Sequence, residues 1–133
     1  MKSTRIIAAA LLVVGSGLVL HIAQAQQPGI QRTDLLQRDL GVPEREVVQV
    51  RVDFDREAVA PMHSHPGEEI AYVLEGSLEY QLEGKPPVTL KAGDDLFIPA
   101  GTAHSAKNVG GGKAAELATY IVKKGAPLVA PVR

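Results

Sequence analysis

His63-Ser64-His65-Pro66-Gly67-Glu68-Glu69-Ile70-Ala71-Tyr72-Val73-Leu74-Glu75-Gly76 is the stretch on which the fold turns. Side chains on a strand alternate between faces, so a strand through His63 and His65 sends both imidazoles to the same side. Pro61 and Pro66 bracket the pair, and Pro66-Gly67 is a turn signal. A turn there folds the next strand back beside the first and brings the Glu69 carboxylate next to the two imidazoles. The run Ile70–Leu74 is apolar on both faces, the pattern of a strand covered on both sides. Either the residues that precede the domain or a second subunit would cover its outer face, and a homodimer is the expected state.

Short strands flank this stretch on both sides. Val48, Val50, Val52 and Phe54 share one face, with Gln49, Arg51 and Asp53 on the other, the pattern of a half-buried strand. Leu78, Tyr80 and Leu82 alternate, as do Val88 and Leu90. Leu96–Pro99, Thr102–Asn108 and Glu116–Val122 complete the series. Turn signals separate them at Gly76, Gly84-Lys85-Pro86-Pro87, Gly93-Asp94, Pro99-Ala100-Gly101 and Gly110-Gly111-Gly112. Many short strands at this spacing predict an all-β sandwich or barrel. Residues 26–45 are polar and broken by Pro28, Gly29, Gly41 and Pro43, and read as an irregular N-terminal arm.

Composition narrows the class further. The chain has 133 residues, 45% of them apolar, with a formal net charge of -1, which suits one globular domain. Without a basic excess, a nucleic-acid partner has no electrostatic support. No cysteine is present, which excludes disulfides, thiolate nucleophiles and cysteine-ligated zinc. Lys2 and Arg5, the apolar run Ile6–Leu20, and Ala23-Gln24-Ala25 before Gln26 form the pattern of a secretory signal peptide. The expected organisation is therefore a signal peptide at 1–25, an arm at 26–45 and a β-barrel domain at 46–133. That implies a periplasmic or secreted protein with no membrane attachment after cleavage. Loss of residues 1–25 takes the net charge to -3 and leaves three histidines, His63, His65 and His104.

Two imidazoles and a carboxylate on one side of a sheet suit a divalent metal, and a fourth ligand would make the site firm. His104, on the strand after the Pro99-Ala100-Gly101 turn, is the remaining histidine able to supply it. Taken singly, each of these residues would read as a surface or hydrogen-bonded side chain; the constellation is what carries the metal reading.

At this point the sequence resembles the cupin family. The first cupin motif is His-x-His, three residues, Glu, six residues, Gly, matched by His63, His65, Glu69 and Gly76. The second is Gly, five residues, Pro-x-Gly, two residues, His, three residues, Asn, matched by Gly93, Pro99, Gly101, His104 and Asn108. Residues 77–92 separate the two. In one departure, Glu57 stands where the family often has a glycine, six positions before the first histidine.

The resemblance implies a double-stranded β-helix, or jelly-roll barrel, with His63, His65, Glu69 and His104 on one divalent transition metal (Fe, Mn, Ni, Cu or Zn). Four protein ligands would leave one or two coordination positions open to water, dioxygen or a chelating substrate. By parity, Ala71, Val73, Thr102 and Ala106 point inward; Tyr80, Phe97, Met62 and Tyr120 line the mouth or fill the core. Apolar walls suit a small organic ligand. The leading expectation is a dioxygenase acting on an enol, flavonol or diketone, with Glu69 doubling as general base; metal-assisted isomerisation belongs to the same class. A non-catalytic module binding a metal or metal-chelated small molecule is the alternative, favoured by the lack of a recognisable second acid–base residue. A purely structural metal staple comes last. Asn108 is expected to anchor a turn rather than to bind metal.

Overall fold

The computed structural model describes residues 27–133. The segment read as a signal peptide lies outside the described residues. The chain folds as ten strands: β1 (Ile30–Asp39), β2 (Arg45–Phe54), β3 (Val59–Ser64), β4 (Gly67–Glu75), β5 (Ser77–Leu82), β6 (Val88–Lys91), β7 (Asp95–Ile98), β8 (His104–Asn108), β9 (Ala114–Lys123) and β10 (Ala130–Pro131). They form two five-stranded antiparallel sheets, ordered β1-β2-β9-β4-β7 and β10-β3-β8-β5-β6. The fold observed is all-β, as the strand spacing predicts, and is the jelly roll that the cupin resemblance implies.

The alternating residues of each strand meet between the sheets. Val50, Val52, Phe54, Ala71, Val73, Leu78, Tyr80, Ile98, Ala106, Ala118, Tyr120 and Val122 form one buried cluster. Each fully buried aliphatic or aromatic side chain contributes roughly 1.5–3 kcal/mol relative to exposure, so this shared interior is the main source of stability. At the pairing Ala71↔Ala118 both side chains are small and fully buried.

The sequence underread residues 26–45. Instead of an irregular arm, Ile30–Asp39 runs as a full strand against β2, with a bulge between Asp34 and Leu36. Its composition is polar because it is an edge strand, exposed on both faces except at Ile30. Pairing with a strong neighbour overrides a weak local preference. Because β1 extends the first sheet beyond β2, on the far side from β4 and β7, it does not cover the outer face of β4. Ile70, Tyr72 and Leu74 stay exposed there, beside Phe97 of β7 at 59% exposure. Of the two covers considered for this face, that geometry excludes the arm among the described residues.

Two glycines decide how the first motif closes. Gly67 opens β4 directly opposite Val122, and a Cβ there would run into the carbonyl oxygen of Ile121. Gly76 turns the chain from β4 into β5 at φ +73°, a region L side chains rarely occupy.

Candidate metal centre

His63 and His104 are direct cross-strand partners on β3 and β8. A register shift between Ala60 and His63 sets that pairing. His65 lies one residue beyond the end of β3, on the same side as His63. Glu69 comes from the other sheet, where β4 pairs it with Tyr120 and Ile98. The site therefore sits between the two sheets, and all four side chains are buried. Ring centroids are 4.9 Å apart for His63 and His65, 4.3 Å for His63 and His104, and 5.1 Å for His65 and His104. One nitrogen from each of the three rings lies within 4.8 Å of the others. The structure thus gathers all four residues expected from the sequence.

Backbone carbonyls set the tautomer of every ring. Nδ1 of His63 lies 2.7 Å from the Pro61 oxygen, Nδ1 of His65 lies 2.6 Å from the Leu128 oxygen, and Nδ1 of His104 lies 2.9 Å from the Thr102 oxygen. A carbonyl only accepts, so each Nδ1 carries the proton and each Nε2 presents a lone pair. The Glu69 Oε2 stands 2.9 Å from Nε2 of His65 and 3.1 Å from Nε2 of His104. Lone pair against carboxylate at that separation needs a proton or a cation between them. His65 Nε2 and Glu69 Oε2 are accordingly buried without a hydrogen-bond partner. Three neutral imidazole nitrogens and one carboxylate oxygen, oriented from behind, are the donor set of a divalent transition metal, and the residues fit that group.

Burial acts to raise the Glu69 carboxyl, but the adjoining His104 and His65 rings outweigh it and hold it at about 2. Burial pulls the His63 imidazole down to about 4, which keeps it neutral and able to ligate. Burial also pulls on His104, but the Glu69 carboxylate more than compensates and raises it.

A further acid lies inside the barrel that sequence reasoning missed. Glu116 of β9 is buried, and the Tyr80 hydroxyl donates a hydrogen bond to its Oε2. Burial, reinforced by the Glu69 charge, pushes the Glu116 carboxyl up to about 7. The signal was available: Glu116 shares its parity with Tyr120 and Val122, so any strand burying those two buries Glu116. Tyr120 packs against His65 with ring centroids 4.5 Å apart and accepts a 2.8 Å hydrogen bond from the Arg32 guanidinium.

Other expected positions divide. Ala71, Val73 and Ala106 point inward; Thr102 and Met62 are half-buried, Tyr80 and Tyr120 lie in the core, and Phe97 points away from the site. Asn108 anchors its turn: its amide donates to the carbonyls of Phe54, Asp55 and Gly112, and its Oδ1 accepts from the Gly110 amide. Two open grooves, of about 440 and 530 Å³, lie along β1 rather than over the histidines; the first is walled in part by Leu128.

Fold and site together define a double-stranded β-helix barrel with a candidate metal centre between its sheets. The chain belongs to the cupin domain family, Cupin_2, which it matches over residues 50–124. It is 45% identical over 47 residues to the dimethylsulfoniopropionate lyase DddQ of Ruegeria pomeroyi, a match covering 35% of this chain and 23% of that protein. The chain thus spans about a quarter of that relative's length. The crystal structure of DddQ aligns at a TM-score of 0.63 and 26% identity, over 74% of this chain and 49% of that one. The structure of KdgF from Halomonas sp. aligns at 0.63 and 30% identity, over 77% of this chain and 86% of that one. An oxalate oxidase structure aligns at 0.66 and 26% identity, over 81% and 57%.

Proposed function

We propose that His63, His65, Glu69 and His104 hold one divalent transition metal, and that the chain is an exported cupin enzyme acting on a small organic substrate. Oxidation of an enol, flavonol or diketone by dioxygen is the leading reaction. The observation that carries the reading is the buried, partnerless pair of His65 Nε2 and Glu69 Oε2, with His104 Nε2 3.1 Å from that oxygen and a nitrogen of His63 within 4.8 Å of those of the other two rings. The similarity to a lyase and to an oxalate oxidase supports catalysis on small molecules without selecting the substrate.

When bound, the metal supplies Lewis acidity and redox capacity. The chain's residues do the rest. The three Nδ1–H bonds to carbonyls hold the rings in register. Glu69 is placed to accept a proton as substrate enters, a general-base role. Ala71, Val73, Ala106 and Ala118 are buried and keep the surroundings apolar. Glu116 and Tyr80 add a second buried acid–base pair in the same interior, which supports catalysis.

Elemental analysis of the protein purified from its native compartment tests the centre. About one metal per chain is expected, lost in both His63→Ala and His104→Ala; full metal content in either variant sinks the assignment. An oxygen electrode with a panel of enols and diketones then tests the reaction. A non-catalytic module that holds a metal or a metal-chelated small molecule is the second reading. Tight uptake of a ligand without product would select it. Export and a homodimer complete the proposal; the N-terminal residue of the secreted form checks the first.

A further inference from the structure

We propose that the C-terminal strap, residues 126–132, is a working part of the metal centre: the Leu128 carbonyl positions His65, and strap docking is coupled to metal retention. The inference rests on the reading that His63, His65, Glu69 and His104 hold the metal.

The three rings are oriented in two different ways. His63 and His104 bond to carbonyls two residues back on their own chain segment, Pro61 and Thr102. Those partners form as soon as the local backbone does. His65 instead bonds to Leu128, 63 positions away, and it does so from the gap between β3 and β4 where no strand ladder runs. Its orientation is supplied from outside its own segment.

The strap itself is lightly held. Ala130 and Pro131 pair with Ser64 and His63, and the Val132 amide donates to the Met62 carbonyl at 3.1 Å. Leu128 packs half-buried against the core, and β10 is otherwise exposed. Short, exposed edge segments with so few bonds open locally well below the free energy of global unfolding. When the strap lifts, the buried Nδ1–H of His65 loses its acceptor. The ring is then free to turn, or to carry its proton on Nε2, the nitrogen that must present a lone pair. A bound metal demands that lone pair and so favours the docked strap. Coupling of two equilibria is reciprocal, so the docked strap must raise metal affinity by the same factor. Pro127 and Pro131 stiffen the strap in its extended path and make this docking a matter of register rather than of chain collapse.

Amide hydrogen exchange on the intact chain tests the coupling directly, with zinc as the probe metal. Saturating zinc is expected to slow exchange at Val132 at least about tenfold more than at Lys85, whose amide bonds to Leu82 in the β5–β6 turn. Equal slowing at the two amides overturns the proposal. Two variants give the converse: deletion of residues 126–133, and one glycine inserted between Ala126 and Pro127. Zinc affinity by chelator competition should fall about 10–100-fold in both, and the nitrogen shifts of His65 should leave the Nδ1–H pattern. Wild-type affinity in variants with native near-ultraviolet dichroism overturns it, and the exchange experiment decides should the deletion not fold. A wild-type chain that takes up no zinc, copper, nickel, manganese or iron fails the metal reading and this inference together. Metal uptake that is indifferent to the strap fails this inference alone.

Discussion

Glu57 and Glu116 show how single residues carry consequences that composition hides. Glu57 adopts φ 63°, the left-handed region, at the position where related motifs often carry glycine. A side chain there costs roughly 1–2 kcal/mol, while glycine costs roughly 0.5–1 kcal/mol in unfolded-chain entropy. Glu57→Gly is therefore expected to stabilise by about 0.5–1 kcal/mol, a rise of a few degrees in Tm by calorimetry. A lower Tm would show that the carboxylate does something the backbone does not reveal. Glu116 supplies a pH prediction. Folded, it keeps its proton up to about pH 7; unfolded, it loses it near the ordinary 4.5. The folded state therefore loses stability as pH rises through that window. Glu116→Gln removes this penalty and still accepts from Tyr80. Urea titrations of the metal-free protein should show the variant gaining on wild type between pH 4.5 and 7, by up to about 3 kcal/mol, with no further gain above it. A pH-independent difference would mean that the carboxyl titrates normally.

Strand β4 is the element on which the centre depends, because it carries Glu69 into a site otherwise built from the opposite sheet. Its position is set at its first residue, where Gly67 lies against the Ile121 backbone. Gly67→Ala forces β4 and β9 apart at that end, against atoms that have no room to yield. A loss of about 3 kcal/mol or more is expected, with metal affinity reduced because Glu69 moves relative to His65. Gly111→Ala, with open space around it, is the control and should leave both unchanged. Much at this level was readable in advance. Alternation located β2, β5 and β6, since a strand with one face towards the core carries a period-two pattern; β4 read instead as a run apolar on both faces. β1 was not readable. An exposed edge strand has no buried face to impose a period, and its ten residues owe their conformation to the ladder with β2.

The whole molecule presents an apolar outer face on β4 and β7, with Tyr72 at 42% and Phe97 at 59% exposure. The proposed homodimer would bury it. Light scattering should report a dimer for the wild type and a monomer with unchanged Tm for Tyr72→Lys/Phe97→Lys; a monomeric wild type would remove the proposal. The same scale separates what was legible from what was not. Parity along the chain is a covalent property, so the common direction of His63 and His65, and the inward set Glu69, Ala71 and Val73, followed from spacing alone. The partners of those residues did not. The Leu128 carbonyl behind His65, the Tyr80 hydroxyl on Glu116 and the Arg32 guanidinium on Tyr120 join positions 63, 36 and 88 apart. They become neighbours only when two sheets close on one core, and no periodicity within a strand records which distant strand will lie across from it.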